Sequence, residues 1–128
     1  MLAFWSGLFI VLHGLVHLWY VALSQKLVAF QPEMGWTGRS WLLTNIIGDS
    51  PTRSLAGLLY VLATIGLVVS GIGVMARGEW WRPVLIGSAV LSSVTLVLFW
   101  DGSTDLIVQK GLLGLVINGA ILIAMAVL

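Results

Sequence analysis

Four long apolar stretches follow one another along the chain, and each is long enough to cross a bilayer as a helix. They cover about residues 2–23, 52–75, 83–100 and 105–128. A transmembrane helix needs roughly 20 apolar residues, with about 17 as the lower limit, so the third stretch is short for a span. Within a bilayer the backbone must satisfy its own hydrogen bonds. The pattern therefore predicts one all-α domain, an integral membrane four-helix bundle.

Residues that favour helix ends separate the stretches. Ser50 and Pro51 supply an N-cap and a proline at the first helical position of the second stretch, and Pro83 opens the third in the same way. The segment 101–105 is a turn in which Ser103 or Thr104 would cap the fourth. The tryptophans lie near span ends or in the first loop, as in an aromatic belt at the headgroup level; they are Trp5, Trp19, Trp36, Trp41, Trp80, Trp81 and Trp100.

The only long loop, residues 25–49, contains a predicted short helix. Ser40 is a plausible N-cap, Trp41 to Ile47 would form about two turns, and Gly48 would end them. The apolar residues of this segment suit a helix that lies in the membrane interface or folds back over the mouth of the bundle.

The first span carries both histidines of the chain. His13 and His17 are four residues apart and therefore share one helix face. Extending that face gives a largely polar stripe: Ser6, Ile10, His13, His17, Tyr20 and Ser24. Because polar side chains at membrane depth are costly unless they face protein or a water-filled cavity, we expect this stripe to point into the bundle.

Further polar residues come from the other spans. The first span ends, the second begins, the third ends and the fourth begins on the same membrane side, so the sequence predicts a polar cavity that opens there. Its candidate ligand-binding residues are His13, His17, Tyr20, Tyr60, Asp101 and Asn118. We expect one of the two histidines to hydrogen-bond Tyr60, Asp101 or Asn118.

Small residues recur on all four spans and predict close helix packing. Examples are Gly7 and Gly14 in the first span, Gly71 in the second, Ser88, Ser92 and Thr95 in the third, and Gly111 and Gly114 in the fourth. In membranes such faces let helix backbones approach closely and exchange hydrogen bonds.

Composition supports a membrane location. Of the 128 residues 59% are apolar and only 9% are charged, whereas a soluble domain carries about 25% charged residues. The net charge of +1 gives no support for nucleic-acid binding. The chain has no cysteine, which excludes disulfides and thiolate metal sites. We therefore expect a multi-pass protein of the cell membrane whose main partner is the lipid bilayer.

The two histidines leave several chemistries open. Histidines at positions i and i+4 can share a Zn²⁺ or Cu²⁺ ion, with Asp101 or Glu33 needed to complete the site. One histidine could be a haem ligand, but two on the same helix turn cannot take both axial positions. Histidine, tyrosine and carboxylate groups could also hydrogen-bond a quinone. The alternative to all three is a structural role, as hydrogen-bonding groups between helices.

Three segments resemble a group of small bacterial four-span membrane proteins, many of them loosely described as permeases. The segments are residues 12–18 (LHGLVHL), residues 35–43 (GWTGRSWLL), and residues 99–102 (FWDG) followed by Lys110 and Gly111. In span number and size the chain is also similar to DoxX-like proteins, whose name-giving members are linked to quinone redox complexes. The resemblance implies a membrane bundle and a redox link, and it transfers no site residue.

No phosphate-binding loop, nucleophile elbow or pair of intramembrane carboxylates is present, so the sequence favours a protein that is not an enzyme. The leading interpretation is a small subunit or ligand-binding bundle in a homo-oligomer or larger membrane complex. The first alternative is a redox-linked protein that binds quinone, haem or metal through His13 and His17. The second is a small oligomeric transporter.

Overall fold

The structure is a computed structural model that describes residues 2–27, 36, 39–102 and 111–127. Within these ranges its regular elements are helices: α1 (Leu2–Ser24), α2 (Thr44–Ile47), α3 (Asp49–Met75), α4 (Trp81–Leu98) and α5 (Leu113–Val127). Helices α1, α3 and α4 are long and apolar enough to cross a membrane, and α5 is a shorter apolar helix. The all-α prediction is confirmed for this part of the chain. The predicted roles of Glu33, Ser103, Thr104, Asp105 and Lys110 fall outside the described residues.

Helix α3 begins at Asp49, earlier than the predicted start at residue 52. Gly48 separates α2 from α3 and has a φ of 90°, a backbone conformation that glycine adopts without steric cost. This sharp turn lets α3 start directly after α2. The predicted cap at Ser50 is therefore wrong, because Ser50 and Pro51 already lie in the first turn of the helix. Proline is tolerated there because its missing N–H has no intrahelical partner.

Helix α4 starts and ends before the predicted bounds, running from Trp81 to Leu98. The early end coincides with a set of hydrogen bonds from the first loop to four consecutive carbonyls. Val97 accepts from Trp41 Nε1 (2.9 Å), Leu98 from Ser40 Oγ (2.5 Å), Phe99 from Trp36 Nε1 (2.6 Å) and Trp100 from the Trp41 N–H (2.7 Å). The last carbonyls of a helix lack intrahelical partners. The first loop supplies those partners here and so ties itself to the end of α4.

Helices α1 and α3 are in backbone contact through glycine. A Cβ atom added to Gly71 would lie 2.7 Å from the Gly7 carbonyl oxygen and 2.9 Å from the Val11 nitrogen. A Cβ added to Gly14 would lie 2.9 Å from Leu67 Cβ. Such contacts are shorter than side chains tolerate, so these glycines allow the close helix approach that the small-residue pattern predicts.

The helices pack in chain order, with α1 against α3, α3 against α4, and α4 against α5. Among the described residues, α1 and α5 share no comparable interface. The circle of helices is therefore incomplete, and an open seam runs between the first helix and the last. The candidate functional site lies at this seam.

Candidate functional site

Four buried polar residues from three helices form a closed set of hydrogen bonds, which we call the polar ring: His13 and His17 from α1, Ser92 from α4 and Asn118 from α5. His13 Nε2 lies 2.7 Å from Asn118 Oδ1, and Asn118 Nδ2 lies 2.8 Å from Ser92 Oγ. Ser92 Oγ lies 2.5 Å from His17 Nε2, and His17 Nδ1 lies 2.9 Å from the His13 carbonyl oxygen. The polar ring links α1 to α5 across the open seam.

The polar ring is almost completely enclosed. Asn118 and Ser92 are 0% exposed, His17 is 2% exposed and His13 is 7% exposed. Burying a polar side chain is costly unless its hydrogen bonds are made. The network therefore explains how two imidazoles and an amide can lie inside an otherwise apolar bundle.

A group of aromatic side chains, which we call the aromatic cluster, adjoins His17; its members are Tyr20, Trp36, Tyr60 and Phe99. The rings of Tyr20 and Tyr60 are stacked with centroids 5.0 Å apart, and the Trp36 ring meets both edge-on. Trp36 is only 1% exposed and its Nε1 also donates to the Arg39 carbonyl at 3.2 Å. The prediction that Trp36 belongs to an interfacial belt is therefore wrong, because its indole fills the bundle mouth and caps α4.

A cleft of about 470 Å³ follows the open seam between α1 and α5, and we call it the α1–α5 cleft. Its walls are mostly apolar, from α1, the end of α4, and α5. They include Leu12, Val16, Leu96, Leu113 and Ile117. The polar side chains that reach it are His13, His17, Tyr20 and Trp19. Leu12 and Val16 are 53% and 60% exposed, so the cleft is open along the outer surface of the bundle.

The structure brings together five of the six predicted site residues. His13, His17 and Asn118 belong to the polar ring, and Tyr20 and Tyr60 belong to the aromatic cluster beside it. The predicted hydrogen bond between a histidine and Asn118 is confirmed. Asp101 is half-buried after the end of α4, and within the described residues neither histidine hydrogen-bonds it.

Ser92 was not among the predicted site residues, although the sequence shows it on a polar face of its helix with Ser88 and Thr95. All three side chains are buried. Thr95 bonds back to the Leu91 carbonyl of its own helix, whereas Ser92 reaches the polar ring. Spacing identifies the face, but it does not show which hydroxyl lies level with the histidines.

The donor set fits a metal or a haem poorly. Three of the four imidazole nitrogens are engaged, because His13 Nε2 and both nitrogens of His17 already make hydrogen bonds. Within the described residues, no group of three His, Cys, Asp or Glu side chains could hold a metal ion. A metal or haem iron would find only His13 Nδ1 available without breaking the polar ring.

Comparisons of the chain with models of protein families, with curated proteins and with solved structures find no match. The functional conclusion therefore depends on the geometry of the α1–α5 cleft and of the polar ring behind it.

Proposed function

We propose that this chain is a four-span protein of the cell membrane that acts as a non-enzymatic ligand-binding bundle. Its ligand would be a lipid-soluble molecule held in the α1–α5 cleft. The observation that carries the proposal is an apolar cleft, open on the outer surface of the bundle, with two buried imidazoles on its inner wall.

The exposed surface of the helices supports a membrane setting. Helices α1, α3, α4 and α5 each present large apolar side chains outward, for example Val16 (60%), Ile65 (54%), Val94 (55%) and Ile123 (67%). Apolar patches of this extent are rare on soluble monomers and mark contact with lipid or with another membrane subunit. The same faces would receive a second copy or a larger complex. Helix α5, a shorter apolar helix, would be the fourth span.

The size and polarity of the cleft indicate the class of ligand. Small-molecule sites occupy about 300–1,000 Å³, are mostly apolar and contain a few polar groups that orient the ligand. The α1–α5 cleft meets these criteria, and among the described residues no charged side chain lines it. A ring compound with one or two oxygens, of the quinone or phenol type, would fit. This ligand would enter sideways from the acyl chains of the bilayer.

Photolabelling tests this proposal. Protein in lipid vesicles would be irradiated with an alkylphenol that carries a diazirine, and the labelled residues identified by mass spectrometry. We expect labelling of cleft residues such as Leu12, Val16 and Ile117, and its suppression by excess unlabelled 4-hexylphenol. Labelling spread evenly over outward-facing residues, without suppression, would refute the proposal.

Two variants of neighbouring residues on α5 provide a matched control. Ile117→Trp places an indole in the cleft and should reduce specific labelling at least about tenfold, a loss of about 1.4 kcal/mol in binding. Val116→Trp adds the same side chain at a position that is 60% exposed and outside the cleft, and should leave labelling unchanged. Leu12→Trp obstructs the opposite wall and repeats the test if the first variant fails to fold.

A further inference from the structure

The hydrogens of the polar ring can be assigned from one backbone contact. The His13 carbonyl oxygen can only accept, so His17 Nδ1, which lies 2.9 Å from it, carries the hydrogen. A neutral imidazole has one N–H, and a charged ring at this depth would be costly. His17 Nε2 is therefore a bare acceptor, and the hydrogen in its contact with Ser92 belongs to the Ser92 hydroxyl.

The assignment continues from Ser92 to Asn118. The Ser92 hydroxyl has one hydrogen, which is committed to His17, so Ser92 Oγ must accept from Asn118. Asn118 therefore turns its NH₂ group toward Ser92 and its carbonyl oxygen toward His13. The opposite amide orientation would place the Asn118 oxygen against Ser92 Oγ with no hydrogen left between them.

His13 is the last member of the polar ring and its tautomer follows. Because Asn118 offers it a carbonyl oxygen, His13 carries its hydrogen on Nε2 and a bare lone pair on Nδ1. The two histidines thus hold opposite tautomers, although they lie one helical turn apart.

The bare His13 Nδ1 belongs to a residue that lines the α1–α5 cleft and is only 7% exposed. Within the described part of the chain this nitrogen has no hydrogen-bond partner, while every fully buried side-chain nitrogen or oxygen has one. His13 Nδ1 is therefore not sealed in, and the cleft is an opening that the His13 side chain lines. The cleft offers an acceptor in apolar surroundings, where an unmet hydrogen bond is expensive.

We infer that the cleft selects lipid-soluble molecules that donate a hydroxyl hydrogen to His13 Nδ1, in preference to molecules that offer only a carbonyl or ether oxygen. This inference rests on the proposed function. An ether or carbonyl oxygen would place its lone pair against that of Nδ1 and leave both unsatisfied. For a quinone and its hydroquinone, the reduced form would bind more tightly.

The test compares 4-hexylphenol with 4-hexylanisole, its methyl ether, as competitors of the photolabel in vesicles, with free concentrations corrected for partition into lipid. We expect the phenol to compete at least about tenfold better, which corresponds to about one hydrogen bond. Equal competition by the two compounds would overturn the inference while leaving the proposed function intact. Absence of specific competition by either compound would overturn both.

A serine variant tests the assigned directions of the hydrogen bonds in the polar ring. Ser92→Ala removes the constraint on the Asn118 amide, so that His13 can adopt either tautomer and donate to an ether. The preference for the phenol should fall to within about threefold. Ser93→Ala is the matched control, because the Ser93 hydroxyl bonds only the Ala89 carbonyl within its own helix. This control should keep the full preference, and an equal loss in both variants would contradict the inference.

Two further measurements complete the test. Nitrogen NMR of protein labelled with ¹⁵N-histidine, without ligand, should show His17 protonated at Nδ1 and His13 protonated at Nε2. A hydrogen on His13 Nδ1 would overturn the inference whatever the state of the Ser92 variant. A competition arm with 1-octanol tests whether the hydroxyl must be carried by an aromatic ring. A ring donor gains contacts with the Tyr20 and Trp19 rings that an alkanol lacks, so we expect 4-hexylphenol to compete better than 1-octanol.

Discussion

Replacing Asn118 with Leu would separate the contribution of the polar ring from that of apolar packing. Leucine is close to asparagine in size, and the site is fully buried at 0% exposure. The change removes two hydrogen bonds, from His13 Nε2 to Asn118 and from Asn118 to Ser92. It leaves the His13 N–H without an acceptor and removes the hydrogen bond that joins α1 to α5 in the described part of the chain.

The expected destabilisation lies between two limits. Hydrogen bonds between helices in membranes average about 0.6 kcal/mol each, so two lost bonds set a lower limit of about 1 kcal/mol. A buried donor that is left unsatisfied costs about 1–3 kcal/mol. We therefore expect Asn118→Leu to lower the free energy of unfolding by about 1–3 kcal/mol. Ser93→Ala, which breaks one bond inside a single helix, should change it by less than about 0.5 kcal/mol.

Unfolding measured by steric trapping in bicelles would give the free energies. A second readout follows from the absence of cysteine, since pairs of introduced cysteines can be spin-labelled selectively. Labels at Phe4 on α1 and Ile123 on α5 should show a longer and broader distance distribution in Asn118→Leu. Labels at Phe4 and Ile72, which report on the α1–α3 interface, should not change. A loss below about 0.5 kcal/mol together with an unchanged α1–α5 distance would refute the reasoning.

Three further substitutions test other parts of the fold. Trp36→Phe keeps an aromatic ring but removes the donor to the Phe99 carbonyl, so the free energy that holds the first loop against α4 should fall by about 1–2 kcal/mol. Trypsin should then cut faster after Arg39, and an unchanged cleavage rate would contradict this role. Gly71→Ala forces a Cβ against the backbone of α1 and should destabilise the protein by about 1–3 kcal/mol, as measured by steric trapping, and a smaller loss would show that α1 can shift away. Gly119→Ala meets open space and should be neutral or stabilising by up to about 1 kcal/mol in the same assay, whereas a clear loss would indicate that another subunit covers this face of α5.

Much of α1 could be predicted because its pattern is local. The spacing of His13 and His17 assigns them to one face, and the cost of polar groups at membrane depth turns that face inward. In the structure Ile10, His13, His17, Tyr20 and Ser24 are all buried, whereas Ser6 is half-buried. That inference needs only the spacing of residues within one helix and the apolar character of its surroundings.

The ends of α3 and α4 were predicted less well, because their caps depend on neighbours. The turn at Gly48 joins α2 directly to α3, so α3 begins earlier than predicted. This role of Gly48 is visible only once the positions of both helices are known. The donors that end α4 come from the first loop, more than 50 residues earlier in the chain. Sequence rules for caps consider only adjacent residues, so they miss donors that arrive from a distant loop.

The sequence by itself determined an all-helical chain with membrane-length apolar helices and a polar stripe on the first of them, because hydrophobic periodicity and the cost of burying polar groups act within each helix. Only the tertiary structure decided that α1 and α5 fail to close against each other, that Ser92 joins His13, His17 and Asn118, and that Trp36 enters the bundle. These features depend on the relative height and rotation of helices far apart in the chain, up to 105 positions for His13 and Asn118. The tautomer of His13, and with it the hydrogen-bond acceptor that the α1–α5 cleft offers, follows from those long-range contacts together with the local bond from His17 to the His13 carbonyl.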